Sequence, residues 1–191
     1  NPVDSGRIQW MLQQGTIQSI RTINREYRPD DNALILSVES GSANQFILDL
    51  KKGVRRGLDS KVEKGHAPIL APLGYLNTKI EERGNNYIIK DQERFDLIRK
   101  CWDLMLTGNY TPPQILEMAT NEWGLRTRKM KRRGSKPLSR STIYRIFTDI
   151  FYTGKYYAYR GKVYDNGKHP AMITLDEFDR VQVLLGREGK P

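Results

Sequence analysis

The chain has 191 residues, a formal net charge of +10, 38% hydrophobic and 28% charged residues, a balance that builds a real but modest core and is globular rather than disordered. No apolar run approaches the roughly 20 residues of a membrane span, and the polar start Asn1 to Arg7 lacks the apolar stretch of a secretory signal. Cys101 is the sole cysteine, which excludes an internal disulfide and a cysteine zinc cluster and fits a reducing, cytoplasmic setting.

The excess of Lys and Arg asks for a polyanion: nucleic acid or an anionic membrane surface, unless the charge is merely a solvated surface. The distribution along the chain has to decide. The start is abrupt, with no Met at position 1. Ile8, Met11 and Leu12 then recur at helical spacing, a short amphipathic helix ending near Gly15. Ile17, Ile20 and Ile23 among polar residues make 17–23 a β-branched strand candidate. Arg28-Pro29-Asp30-Asp31-Asn32 is a turn.

A long helix follows, from about Asn32 to Lys64. Ala43, Phe46, Ile47, Leu50, Val54, Leu58 and Val62 form its apolar stripe, with Lys51, Lys52, Arg55, Arg56, Lys61 and Lys64 opposite and Gly65 as its stop. Its length predicts that part of the stripe meets a partner chain. His66 to Tyr75, with Pro68 and Pro72, is extended, and a domain boundary falls here. Leu73–Lys79, a turn around Arg83 to Asn86, and Tyr87–Lys90 read as a β-hairpin.

Asp91–Leu106 is an amphipathic helix with Phe95, Ile98, Cys101, Trp102, Met105 and Leu106 inward. Thr111-Pro112-Pro113-Gln114 opens another, with a cap, an early proline and a capping-box glutamine; Ile115, Leu116, Met118, Ala119 and Trp123 are its core side. Ser139 caps a third helix containing Ile143, Ile146 and Phe147. Gly154–Tyr159 alternates as a strand and 160–162 turns. The capping box Thr174 to Glu177 opens a last helix with Phe178, Val181, Val183, Leu184 and Leu185. The fold class is therefore α+β and mostly helical, with no internal repeat.

One segment carries the chemistry. Arg126, Arg128, Lys129, Lys131, Arg132, Arg133, Lys136, Arg140 and Arg145 are basic, and no Asp or Glu lies between Gly124 and Thr148. Like charges on a loop can follow a DNA backbone. The loop feeds a helix whose first turns offer Ser139, Arg140, Ser141, Thr142, Tyr144 and Arg145, residue types suited to base edges and phosphates in a major groove. A membrane surface is disfavoured because no large apolar face accompanies the charge. Pro68, Pro72, Gly74 and Tyr75 lie in the extended segment, which reads either as a plain linker or as a strip lying in a minor groove. His66 and His169 lack the neighbours of a metal site, no carboxylates pair for catalysis, and no cofactor is expected. Double-stranded DNA is the expected partner; RNA is the other nucleic acid the pattern admits. A non-catalytic helix-turn-helix regulator is the alternative reading of the same features.

The order of motifs resembles that of the large serine recombinases, the site-specific integrases and transposases of phages and mobile elements. Pro72-Leu73-Gly74-Tyr75 is similar to a "p-x-G-Y" after the long helix, and Val54-Arg55-Arg56-Gly57 to the end of that helix. Phe95 to Gly108, Thr111 to Leu125, Leu138 to Phe147, Tyr152-Thr153-Gly154 and Ile173 to Val181 are similar to the family's recombinase domain. The resemblance implies that 1–65 is the end of a catalytic domain with its long oligomerisation helix, following an "R-L-S-R" motif, and that 66–191 is the DNA-binding domain. It also implies binding at attachment sites, dimer or tetramer contacts through the helix, and a bacterial or phage, nucleoid-associated setting. Strand exchange would proceed through a phosphoserine link whose serine is not in this chain. Two departures accompany it: Asn44 and Phe46 stand where many members carry glutamates, and no cysteine-bearing zinc ribbon follows.

Overall fold

The computed structural model describes residues 2–23, 25–31, 33–78, 86–129, 134–157 and 161–187. Two compact units divide the chain, Asn1–Gly57 and Leu58–Pro191.

The first unit holds α1 (Pro2–Gln13), β1 (Ile20–Arg21), β2 (Glu26–Tyr27) and the greater part of α2 (Ala33–Glu63). Its buried side chains are Leu12 and Tyr27. The Tyr27 hydroxyl donates to Glu39 and Ser37 Oγ donates to Gln9 Oε1 at 2.8 Å, tying α2 to the elements before it. The strand expected over 17–23 shrinks to two residues, because Thr22 N bonds Arg25 O at 2.8 Å and turns the chain, leaving Ile23 fully exposed. Ile20 pairs with Tyr27 and Arg21 with Glu26 in the resulting antiparallel ladder. The turn at 28–31 forms as expected: Asp31 N bonds Arg28 O at 3.0 Å, and Arg28 N bonds the Asp31 carboxylate at 2.7 Å. Along α2, Leu34, Val38, Phe46, Ile47, Leu50 and Val54 stand 49–70% exposed. That is a contiguous apolar stripe of the kind that marks an interaction surface.

The second unit begins within α2, where Val62 already packs into its core. Its helices are α3 (Phe95–Leu106), α4 (Pro112–Asn121), α5 (Arg140–Thr148) and α6 (Leu175–Leu184). The hairpin expected around Tyr75 to Lys90 forms as β3 (Tyr75–Asn77) and β4 (Ile88–Lys90), antiparallel with Leu76 opposite Ile89; its turn at 79–85 lies outside the described residues. A third pair joins β5 (Tyr156–Tyr157) to β6 (Val163–Tyr164), with Tyr156 opposite Tyr164. The β6 strand and the 3-10 turn Ile150–Thr153 carry no sequence signature strong enough to announce them. α3 starts four residues later than its periodicity implies. Asp91 is buried and its carbonyl takes both Arg94 N at 3.0 Å and Phe95 N at 2.7 Å, so 91–94 is a turn that feeds the helix.

Expected core residues are found where the stripes put them. Ile98, Cys101, Trp102, Ile115, Ala119, Ile143, Phe147 and Val181 have no measurable exposure. Trp102 is the hub, edge-on to Phe147 at 5.2 Å and tilted against Tyr152 at 5.8 Å. The Cys101 thiol beside it is pushed up to about 12 by burial. Val183 and Leu184 at the end of α6 are half exposed instead of packed. The N-terminal end of α6 is fastened to α3 by Arg99, whose guanidinium donates to Glu177 at 2.6 and 3.0 Å and to Met172 O at 3.1 Å. Glu177 also accepts from Thr174 N, completing the capping box read from the sequence.

The Arg99 hydrogen bonds hold the Glu177 carboxyl down to about 2. A depressed carboxyl stabilises the fold fully above its unfolded value and loses that contribution as pH falls through the folded one. Arg99→Met should therefore lower stability at neutral pH by about 1–2 kcal/mol. In an acid titration followed by circular dichroism it should flatten the decline below pH ~4.5. A variant with an unchanged acid limb would show that the pair is not what couples α3 to α6.

Candidate nucleic-acid interface

The extended segment after α2 cannot bond to itself, so its polar groups must find partners elsewhere. The domain supplies them on alternate residues. Ile69 O accepts from Asn77 Nδ2 at 3.2 Å, Ala71 O from the Arg128 guanidinium, and Leu73 O from the Tyr152 hydroxyl at 2.8 Å. Ala71 N donates to Asn77 Oδ1 at 2.9 Å. One edge of the strip is thus fixed to the protein. Leu70 faces solvent, 69% exposed, and Pro68 and Pro72 are half-buried beside it.

Two residues expected along a DNA groove are placed differently. Tyr75 is a core residue with no exposure, its hydroxyl donating to Pro170 O at 2.8 Å and its ring edge-on to Phe95 and Phe151. Gly74 is buried at φ 91, and a Cβ there would press on Met172 Cε at 3.2 Å. The positive φ is what calls for glycine there, with the Met172 and Ile98 side chains close by.

The basic loop has a built base. Thr127 N bonds Lys136 O at 2.9 Å, Ser135 N bonds Thr127 O at 3.0 Å, and Arg126 bridges Pro137. These bonds zip the two arms of the loop together; Lys131, Arg132 and Arg133 lie outside the described residues. Two of the arginines are used internally. Arg126 donates to Thr120 O at 2.7 Å and Leu125 O at 3.0 Å, closing the end of α4, while its own carbonyl accepts from Arg94 Nε at 3.0 Å. Arg128 clips the loop to the extended segment, and burial pulls its basicity below the usual guanidinium value. Lys129 and Lys136 remain exposed. The sequence marks all of these as phosphate contacts of one kind; what sets Arg128 apart is a bond to a residue far away in the chain, whereas Arg126 is set apart by carbonyls close to it.

Helix α5 presents the remaining candidates. Ile143, Ile146 and Phe147 are buried, so Arg140, Ser141, Tyr144 and Arg145 share the outward face. Ser139 caps the helix by accepting from Thr142 N at 3.3 Å, and its hydroxyl lies 2.9 Å from those of Ser141 and Thr142.

These parts converge. Leu70 to Leu73 from the extended segment, Thr127, Arg128, Gly134 and Lys136 from the loop, and Ser139, Thr142 and Arg145 from α5 line one open groove of about 630 Å³. Asp149 also lines it, a carboxylate just beyond the acid-free run that the sequence does not mark as a site residue. Its carboxylate accepts from Phe151 N at 3.0 Å, and burial raises its affinity for a proton. Among the described residues the groove thus combines an apolar wall, from Leu70 to Leu73 with Pro137 and Ile146, with the cations Arg128, Lys136 and Arg145, several hydroxyls and one carboxylate whose charge is disfavoured.

The Recombinase family model matches residues 92–188, just over half of the chain, and the chain belongs to that family. The resemblance read from the order of motifs is thereby borne out, as is the α+β, mostly helical fold class. The fold is similar to a structure from work on the sequence requirements of the Listeria innocua prophage attP site, with a TM-score of 0.52 and 20% identity over 71% of this chain and 52% of that one. It is also similar to a large serine recombinase in a crystal structure with DNA, with a TM-score of 0.52 and 18% identity over 72% of this chain and 38% of that one. The chain spans about half or less of the length of those structures. No curated protein matches it.

Gly134 sits at φ 130, and a Cβ on it would collide with the Arg128 carbonyl oxygen and Lys129 Cα. Gly134→Ala should therefore cost about 1–3 kcal/mol and open the loop base. Thermal unfolding and trypsin cleavage within 126–137 would report both effects; an unaltered cleavage rate would contradict the zipped arrangement.

Proposed function

We propose that this chain holds double-stranded DNA at a recombination site as part of a serine site-specific recombinase. The observation that carries the reading is the convergence of the extended segment, the basic loop and the first turns of α5 on one groove, whose loop and α5 parts lie inside the region that matches the Recombinase family. The charge of the outward face supports duplex binding, because phosphates are its natural counter-ions.

The parts divide the work by chemistry. Arg140, Ser141, Tyr144 and Arg145 stand on a helix narrow enough for a major groove, where Arg reads guanine and hydroxyls read either purine or pyrimidine edges. Lys129 and Lys136, with Lys131, Arg132 and Arg133 between them in the sequence, neutralise phosphates. Pro68, Leu70 and Pro72 offer the apolar outer edge of a strip pinned by its carbonyls, a shape suited to the adjacent minor groove. Arg126 and Arg128 act indirectly, by holding loop and strip in place. In this reading the family's phosphoserine chemistry belongs to a catalytic serine that none of these residues supplies. The exposed stripe of α2 pairs with a second copy, which would give the intact assembly its two-fold arrangement on DNA.

Arg140→Ala with Arg145→Ala should weaken binding to the attachment site by about 1–3 kcal/mol per lost base contact in a gel-shift titration. Neutralising Lys129 and Lys136 should instead reduce the salt slope by about 0.9 per phosphate released. Unchanged affinity in the first variant would sink the α5 assignment. For self-association, Ile47→Asp with Leu50→Asp should shift sedimentation of the wild-type oligomer to the monomer; a wild-type chain that sediments as a monomer at high concentration would remove the pairing.

A further inference from the structure

The strip that reaches the groove begins at a second cationic cluster. Helix α2 ends in a Schellman turn, with Gly65 N bonding Val62 O and His66 N bonding Lys61 O, both at 2.9 Å, and Gly65 at φ 76. Lys168 N then bonds Gly65 O at 2.9 Å, which brings the chain after β6 alongside. His66 and Lys168 line a concavity of about 410 Å³ with Gly65, Ala67, Tyr87 and His169.

We infer that Lys61, Lys64, His66 and Lys168 form a second phosphate-contact site for the same duplex, at the far end of the extended strip from the groove. The inference rests on the duplex reading above. Cations at a helix C-terminus ordinarily serve its exposed carbonyls, but here three carbonyls of the last turn already have donors. Ser60 O takes Lys64 N, Lys61 O takes His66 N, and Val62 O also receives the Tyr156 hydroxyl at 3.4 Å and Asn166 Nδ2 at 3.3 Å. Among the described residues Lys61, Lys64 and Lys168 form no ion pair, and Lys64 and Lys168 are exposed. His66 is held below its ordinary value by burial and then by Lys168, Lys61 and Lys64; every charge acting on it is positive. Such uncompensated potential attracts an anion.

The geometry selects a polymeric anion. The six steps from His66 to Pro72 span at most about 20 Å when extended, close to the axial rise of six base pairs at ~3.4 Å each. A cationic site at each end of one pinned strip fits a continuous backbone better than a small free anion.

The test compares salt slopes for mixed-sequence duplex DNA. Lys64→Gln with Lys168→Gln, two surface changes whose fold is checked by circular dichroism, should lower the slope by about 1–2. Ethylation interference should show a second phosphate patch about six base pairs from the one lost in the Arg140→Ala, Arg145→Ala variant. In the wild-type complex the His66 ring should titrate at higher pH than in the free chain, since a bound phosphate offsets its three lysine neighbours. If the lysine variant keeps the wild-type slope while the α5 variant binds weakly, this site falls and the groove reading stands. If the wild-type chain shows no salt-dependent duplex binding, both fall.

Discussion

Buried backbone polar groups must be paired, and in the second unit that requirement organises the putting-together of every functional part. A proline-bearing strip cannot join a helix or a central strand, yet it runs against the core. Asn77, Arg128 and Tyr152 answer it by capturing the carbonyls of Ile69, Ala71 and Leu73. Each captor comes from a different element: a hairpin strand, the basic loop and the 3-10 turn. The strip is therefore a seam that fixes three separated pieces of chain to one line, and the groove exists because they meet along it.

This arrangement separates charge from contact. A run of basic residues invites the view that each meets a phosphate. Arg126 and Arg128 spend their donors on carbonyls of the protein itself. A guanidinium suits this use, since its planar fork can bridge two oxygens in fixed directions. Lysines hold the exposed positions 129 and 136, where a single mobile charge on a long stem is enough. Among the described residues of the loop, Arg and Lys thus divide by mechanical role.

Much of the fold was legible from local chemistry. The stripes of α2 and α3 follow from a 3.6-residue period, and the starts of α4, α5 and α6 from Thr111, Ser139 and Thr174, whose capping bonds depend only on neighbours three residues away. The hairpin of β3 and β4 was legible for a similar reason. What escaped is what depends on distant partners. β6 is two residues long and exists because Tyr164 stacks on Tyr156 at 5.7 Å. The 3-10 turn is held by His169, whose ring stacks on Phe151 at 3.7 Å and whose Nε2 lies 2.8 Å from Phe151 O. At the candidate site the outward face of α5 was readable, because burial of Ile143, Ile146 and Phe147 assigns the other face by elimination. Tyr75 was misread because an aromatic after a glycine carries no mark of whether it points to a ligand or a core.

The burial of Cys101 has a practical side. It is the sole cysteine of the chain, has no exposed surface, and its thiol is pushed up to about 12. Thiol reagents act on the thiolate, so the native protein is silent toward them at neutral pH. A cysteine introduced anywhere on the surface would be the only reactive one. Probes for distance or fluorescence can thus be placed on the strip, the loop or α5 one at a time, without first removing a native residue from the packed centre of α3.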